Sequence, residues 1–188
     1  MLLCERSLRM NNEKMFFSVV TEHKALTDFY LSAGLEISDG WEKESGVFFS
    51  EAVFYRNKYK MSCKKKSEGD GRHRCNSFHD CDNTVAAYSI SKRYGVTVLD
   101  YIAVKDSLRK SGIGRKLLDR IREKCRKDGV DKIYLTAKAK GFFKKSGARE
   151  LSASEPLFKS LLGECAECTQ REKDCFPAVM VIDLQCSK

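Results

Sequence analysis

The stretch from Val96 to Lys127 constrains the fold most strongly, because its hydrophobic period changes once along its length. A β-branched run from Val96 to Val104 predicts a buried strand. After a polar loop, apolar residues recur at helical spacing, which predicts one long amphipathic helix. The residues of this apolar stripe are Ile113, Leu117, Leu118, Ile121 and Cys125. A further alternating run, residues 131–137, completes a βαβ unit whose two strands should be parallel.

The loop between strand and helix carries glycines at positions 112 and 114, within the pattern Arg109-x-x-Gly112-x-Gly114. Glycine lets the backbone approach a ligand closely, and the unpaired N–H groups of a first helical turn favour an anion. A P-loop would continue with Gly-Lys-Ser/Thr, and a dinucleotide-binding turn would read Gly-x-Gly-x-x-Gly; the chain has neither. The loop therefore predicts a diphosphate site, and the alternative is a surface turn that merely contains two glycines.

Two segments resemble the GNAT superfamily of N-acetyltransferases. The triplet Ile102-Ala103-Val104 followed by the glycine loop is similar to the family motif that holds the pyrophosphate of acetyl-CoA, and Thr136 to Ala148 is similar to a later family motif. The resemblance implies an α/β fold with a mixed, mostly antiparallel central sheet, flanked by helices and split near the coenzyme strands. It also implies coenzyme contacts at Ile102, Ala103, Val104, Arg109, Lys110, Ser111, Gly112, Ile113, Gly114, Arg115, Thr136 and Phe143.

The resemblance implies transfer of acetyl from acetyl-CoA to a primary amine, either a small amine such as an amino acid or a protein amine. Asp100 lies near the position where some relatives carry a catalytic glutamate, so it is the predicted general base. The alternative for Asp100 is that it is simply a polar residue at a strand bulge. Glu51 and Tyr88 are further candidates for the general base. Phe143 replaces a frequent family tyrosine that protonates the leaving thiolate. The alternative function is a coenzyme A-binding protein that responds to metal or redox state without turnover.

Nine cysteines are unusual for a chain that shows no signal-peptide core and is therefore expected to be cytoplasmic. In that compartment cysteines are read as metal ligands or core residues before disulfides. Cys165 and Cys168 form a C-x-x-C pair, and with Cys175 they predict a zinc site whose fourth ligand stays open. The candidates for that ligand are Cys63, His79, Cys81 and Cys186. The alternative is three reduced, partly packed thiols.

Length and charge set the remaining expectations. The 188 residues predict one acetyltransferase domain over 1–188, with a Cys/His-containing insertion at 61–83 and a Cys-rich C-terminal segment, 152–188, that completes the sheet. The net charge of +9 fits a coenzyme with three phosphates, while the absence of an aromatic-interleaved basic array argues against nucleic acid. No apolar run is long enough to cross a membrane. The oligomeric state, including a homodimer, stays open.

The remaining pattern predicts strands at 15–20, 51–59, 85–91 and 179–184 and helices at 22–33 and 154–162. Residues 1–14 are expected to be a partly frayed extension. In the family, residues 35–49 would help form the acceptor side, and this segment holds Trp41, Phe48 and Phe49. Ordinary core packing is the alternative for each of these three aromatic residues.

Overall fold

The computed structural model describes residues 8–10, 13–20, 26–37, 41, 47–55, 84–163, 165, 166, 168, 171 and 173–185, and the structural statements below concern these residues. The predicted insertion at 61–83 lies outside them. None of the described helices is long and apolar enough to span a lipid bilayer.

The described strands form one eight-stranded sheet in the order β1-β2-β3-β4-β5-β6-β8-β7. Every neighbouring pair is antiparallel except β5 and β6, which are parallel as the βαβ unit requires. The prediction of a mixed, mostly antiparallel sheet is therefore confirmed. The strands are β1 (Leu8–Met10), β2 (Glu13–Val19), β3 (Val47–Tyr55), β4 (Thr84–Arg93), β5 (Val96–Val104), β6 (Lys132–Ala137), β7 (Arg149–Glu150) and β8 (Ala178–Asp183).

The α-helices delimited within the described residues are α1 (Thr27–Ser32), α2 (Ile113–Lys127), α3 (Lys140–Lys145) and α4 (Pro156–Gly163). A 3-10 turn, Asp106–Leu108, links β5 to the glycine loop. All five residues of the predicted apolar stripe on α2 are buried, which confirms the amphipathic helix. Cations in its last turn complement the helix dipole, and Gly129 follows with φ = +73°.

The two faces of the sheet are covered differently. On one face, called the α2 face, α2 and α3 pack on a single large core that includes Leu118, Phe143 and Tyr88. The opposite face, called the α1 face, carries two separate clusters. One surrounds Tyr30 of α1, and the other surrounds Leu161 of α4. The α1 face is therefore divided along the middle of the sheet, between the parts covered by α1 and by α4.

Several boundaries differ from the sequence prediction. Leu8–Met10 forms a strand on β2, where a frayed extension was expected, because backbone pairing with β2 compensates for a weak hydrophobic pattern. β3 begins at Val47 and ends at Tyr55, earlier than the predicted 51–59. Trp41 is 3% exposed and its Nε1 donates to Thr27 Oγ1 at 3.1 Å, so it is a core residue. Phe49 packs against the core of the α2 face.

Candidate active site

A gap opens between the two parallel strands at the centre of the sheet. β5 and β6 pair only at Thr97 with Ile133 and at Val98 with Tyr134. Beyond these pairs β5 stays paired with β4 as far as Val104, while β6 stays paired with β8 as far as Ala137. The two strands therefore diverge toward their carboxyl ends, which is the end of the sheet where α2 begins.

The divergence starts at a β-bulge. Across β4 and β5, Ser89 pairs with Tyr101 and Ile90 pairs with Leu99, so Asp100 is the extra residue of β5. A bulge bends its strand and increases the local twist. The last pair between β5 and β6 lies only two residues before Asp100, and the bend therefore coincides with the opening of the gap.

Backbone groups of β5 face this gap. The N–H of Lys105 donates to the carbonyl of Val85 at 2.9 Å. The backbone groups of Lys105, and of Ala103 two residues earlier, therefore point toward β4. Backbone groups alternate in direction along a strand, and those of Ile102 and Val104 therefore point to the opposite side, away from β4. They are placed to pair with an extended ligand lying in the gap.

The glycine loop leads into the first turn of α2. Gly112 is the N-cap residue with φ = +87°, and no described side chain caps the helix there. The first helical hydrogen bond runs from Lys116 N–H to the carbonyl of Gly112 at 3.2 Å. The N–H groups of Ile113, Gly114 and Arg115 precede that bond and belong to the first turn, where N–H groups have no partner within the helix. Residues 109–112 are exposed, as an anion site requires.

Gly114 places this first turn at the open end of the gap. A Cβ on Gly114 would lie 3.5 Å from the ring of Phe142 and 3.8 Å from Cγ2 of Val104. The start of α2 therefore contacts the end of β5 and α3. Phe143, the predicted contact, is 5% exposed and belongs to the core, whereas Phe142 is half-buried and packs edge-on against it. Sequence reasoning missed Phe142, for which the adjacent pair of phenylalanines was the only signal.

Two other predicted coenzyme residues make contacts within the protein. The guanidinium of Arg109 donates to the carbonyl of Ala33 at 2.8 Å and pairs with Asp106 at 2.7 Å. It thereby ties the glycine loop to the end of α1. The hydroxyl of Thr136 donates to the carbonyl of Leu161 at 3.2 Å, which links β6 to α4. Lys110 and Arg115 are exposed beside the first turn and bring positive charge to it. Ser111 follows Lys110 in the same exposed loop.

The candidate general bases lie on opposite faces. Asp100 is on the α1 face, where its Oδ1 accepts from Ser91 Oγ at 3.0 Å and from the guanidinium of Arg93. Its side chain is 3% exposed. The hydroxyl of Tyr88 donates to Glu51 Oε2 at 2.6 Å on the α2 face, and burial raises the pKa of Tyr88.

Arg120 of α2 completes the buried pair on the α2 face. It donates to both carboxylate oxygens of Glu51, at 2.7 and 3.0 Å. The hydrogen bond to Glu51 raises the pKa of Arg120, so this group stays charged throughout the working range. Glu51 and Tyr88 thus belong to an ion-pair network beneath α2, and Tyr88 lies directly opposite Ile102 across β4 and β5.

The cysteines of the C-terminal segment do not form the predicted zinc site within the described residues. Cys165 and Cys168 lie in a turn in which the N–H of Cys168 donates to the carbonyl of Cys165 at 3.3 Å. The thiol of Cys168 donates to Glu36 Oε2 at 2.9 Å, toward the segment that follows α1. The described part of the chain holds no group of three His, Cys, Asp or Glu side chains fit for a metal ion. The prediction for Cys165, Cys168 and Cys175 is therefore not confirmed, and the candidate fourth ligands lie outside the described residues.

A central sheet that splits beside the uncapped, glycine-rich start of a long helix defines a class of α/β proteins built to hold a coenzyme diphosphate. The chain belongs to the acetyltransferase (GNAT) family, whose model matches residues 39–148. The family predicted from the glycine loop and the later motif is therefore confirmed, and so is the prediction of an acetyltransferase.

Solved structures share this fold. A GNAT family acetyltransferase from Elizabethkingia anophelis with acetyl-CoA bound superposes with a TM-score of 0.57 at 14% identity, over 90% of this chain and 97% of that chain. An acetyltransferase from Bacillus subtilis in complex with CoA superposes with a TM-score of 0.54 at 19% identity, over 93% of this chain and 100% of that chain. N-Acetylglutamate synthase from Neisseria gonorrhoeae, complexed with coenzyme A and N-acetyl-glutamate, gives 0.57 at 14%, over 91% of this chain and 36% of that chain. A comparison with curated proteins found no significant match.

Proposed function

We propose that this protein transfers the acetyl group of acetyl-CoA to a primary amine. The observation that carries the proposal is the first turn of α2, which no side chain of the described residues caps, at the open end of the β5–β6 gap. An anion site and an extended slot meet there, and together they match the diphosphate and the pantetheine arm of one coenzyme. Membership of the acetyltransferase family supports the same chemistry.

In the proposed complex the diphosphate accepts hydrogen bonds from the N–H groups of residues 113–115. The exposed cations Lys110 and Arg115 add charge complementarity. The pantetheine arm follows β5 and pairs with the backbone of Ile102 and Val104, which would place the thioester deep in the gap. Two solved structures of this fold carry acetyl-CoA or CoA, which supports the choice of coenzyme.

The other residues predicted to contact the coenzyme are assigned supporting roles in this proposal. Ala103 orients β5 by pairing with Ala87 of β4. Arg109 and Thr136 hold the glycine loop and β6 through their bonds to backbone carbonyls. Phe143 anchors α3 in the core, so that the adjacent aromatic ring meets Gly114. Direct contact of these four residues with the coenzyme stays a prediction.

The chemistry follows from holding the two reactants together. A neutral amine attacks the thioester carbonyl, negative charge develops on the carbonyl oxygen, and the coenzyme leaves as a thiolate. A backbone N–H of β5 directed at that oxygen would stabilise the developing charge. Orientation of the two reactants in one site contributes a large part of the acceleration. Phe143 offers no hydroxyl to the leaving thiolate, whose protonation we assign to solvent.

The class of acceptor is a small-molecule amine or a protein amine. Two neighbours of the same fold represent these two classes by name: the N-acetylglutamate synthase, and the ribosomal-protein-S18-alanine N-acetyltransferase from Escherichia coli, with a TM-score of 0.56 at 11% identity. A screen should therefore include free amino acids, polyamines and short peptides with free N-termini. The cytoplasmic location and a homodimer stay predictions.

Two measurements test the proposal. Isothermal titration calorimetry with CoA and with acetyl-CoA should show binding of one coenzyme per chain. Mass spectrometry of the amine panel after incubation with acetyl-CoA should show a mass gain of one acetyl group on at least one amine, with release of free CoA. A protein that binds neither coenzyme form would contradict the proposal at its first step.

A coenzyme A-binding protein without turnover is the second candidate. Phe143 favours it, because the chain lacks the tyrosine that supplies a general acid in many relatives. This candidate predicts tight CoA binding, with no acetylated product from any amine of the panel. The metal- or redox-responsive form of the same candidate predicts in addition that oxidation or added zinc changes the affinity for CoA.

A further inference from the structure

The bulge in β5 is held by side chains of the neighbouring strand. Asp100, the bulge residue, directs its carboxylate to Ser91 and Arg93, both of which lie on β4 and on the same face. Arg93 Nε also donates to Ser91 Oγ at 3.1 Å, so the three side chains form one connected group. We call it the Asp100 cluster. Ser91 is fully buried, and the side chains of Asp100 and Arg93 are 3% and 20% exposed.

The cluster spans the segment in which β5 changes from two neighbours to one. Ser91 pairs with Val98, the last residue of β5 that also pairs with β6, and Arg93 pairs with Val96. A bulge in a two-stranded segment is free to migrate if several registers pack equally well. A buried carboxylate with fixed donors on the next strand removes that freedom, because any other register would separate the charges.

The same contacts make Asp100 poorly suited to proton abstraction. A general base must lie within hydrogen-bond reach of the substrate proton. The Asp100 side chain is almost entirely covered, and its Oδ1 already accepts from a hydroxyl and a guanidinium. With its side chain 3% exposed, the carboxylate lies beneath neighbouring side chains that an acceptor amine would have to move aside before it came within hydrogen-bond reach.

We propose that Asp100 is a positioning residue, which Ser91 and Arg93 hold so that the bulge forms at this residue and the coenzyme gap opens. This inference rests on the proposed function, since it assigns the gap to pantetheine. The cluster fixes where the strands part and hence the direction of the Ile102 and Val104 backbone groups. It acts on coenzyme binding through the backbone and makes no contact with the reacting atoms.

The test measures coenzyme affinity, for which no acceptor is needed. Titration of CoA into D100N should give a dissociation constant about tenfold or more above that of the unchanged protein, because gap-facing hydrogen bonds are lost. S91A removes one donor and keeps the ion pair, so it should give a smaller loss of about threefold. Amide hydrogen exchange of residues 99–104 should become faster in D100N than in the unchanged protein.

The chain contains a matched control for the general cost of breaking a buried ion pair. Glu51 and Arg120 have side-chain exposures of 3% and 26%, close to those of Asp100 and Arg93, but they lie on the α2 face. E51Q should lower the melting temperature while leaving the CoA dissociation constant within about twofold of the original. Equal loss of CoA affinity in E51Q and D100N would overturn the inference.

Two further outcomes also decide the matter. If D100N binds CoA normally and loses turnover on an amine that the unchanged protein acetylates, Asp100 acts as the base and the positioning role is wrong. If D100N fails to fold, S91A alone must still weaken CoA binding, and normal binding by S91A contradicts the inference. A failure of the unchanged protein to bind CoA refutes the proposed function instead, so the two failures are distinguishable.

Discussion

The conformation of Gly112 permits a test in which stability and coenzyme binding separate. Gly112 and Gly129 mark the two ends of α2, with φ = +87° and +73°, and a Cβ at either position would have no neighbour within 4 Å. Alanine at each site therefore meets no clash and only the cost of a left-handed backbone, about 1–2 kcal/mol. For a chain of this size, each kcal/mol lowers the melting temperature by about 2–4 °C.

The two variants should lose similar stability, but only G112A should lose affinity for CoA. Relief of the strain at residue 112 rotates the adjoining peptide and displaces first-turn N–H groups from the diphosphate. A hydrogen bond to a charged group contributes about 1.5–3 kcal/mol, so the loss of one such bond raises the CoA dissociation constant about tenfold to a hundredfold. G129A disturbs only the far end of the helix and should bind CoA normally.

The assay combines thermal unfolding of both variants with calorimetric titration of CoA at a temperature where both are folded. Equal CoA affinity in G112A and G129A would refute the assignment of the diphosphate to the start of α2. Unchanged stability in both would refute the argument from left-handed backbone strain. A third substitution, G114A, should stay folded, because its Cβ would make ordinary contacts of 3.5–3.8 Å with Phe142 and Val104.

Further predictions concern the core and the strand that lines the gap. Y88F removes the 2.6 Å hydrogen bond to Glu51 and should lower the free energy of unfolding by about 1.5–3 kcal/mol in urea titrations. Burial raises the pKa of the Cys125 thiol from 9.0 to about 11. The stabilising contribution of the protonated thiol is therefore complete below pH 9 and is lost as the pH rises to about 11. C125A should reduce the fall in stability between about pH 9 and 11. T136V removes the bond to the Leu161 carbonyl and should cost about 1 kcal/mol; a large loss of CoA affinity in T136V would instead indicate direct contact with the coenzyme.

The local pattern of the chain predicted the helix and loop to which we assign the coenzyme diphosphate, because both depend on residues close in sequence. The stripe from Ile113 to Cys125 has the helical period, and all its members are buried. A first helical turn that binds an anion needs close approach of its backbone, and the glycines at 112 and 114 indicated such an approach from the sequence alone. These features require no knowledge of distant parts of the chain.

Features that depend on distant partners were beyond such reasoning. A strand bulge at Asp100 was only the alternative to a catalytic role, because the bulge is a property of the register between β4 and β5, and Asp100 alone carries no sign of Arg93. The thiol of Cys168 meets Glu36, 132 residues earlier in the chain, and a spacing rule for zinc ligands takes no account of such a partner. The burial of Phe143 and the position of Phe142 beside Gly114 depend on how α3 packs against α2, and two adjacent phenylalanines do not indicate which of them faces the core.

The position of β8 between β6 and β7 has a consequence for synthesis of the protein. β6 forms one side of the gap, yet it pairs with β5 at only two positions and with β8 at six. Of the eight described strands, β8 is the last to leave the ribosome. A nascent chain that ends before residue 178 therefore exposes one long edge of β6, and competence to bind coenzyme should arise only after the final strand has emerged and inserted.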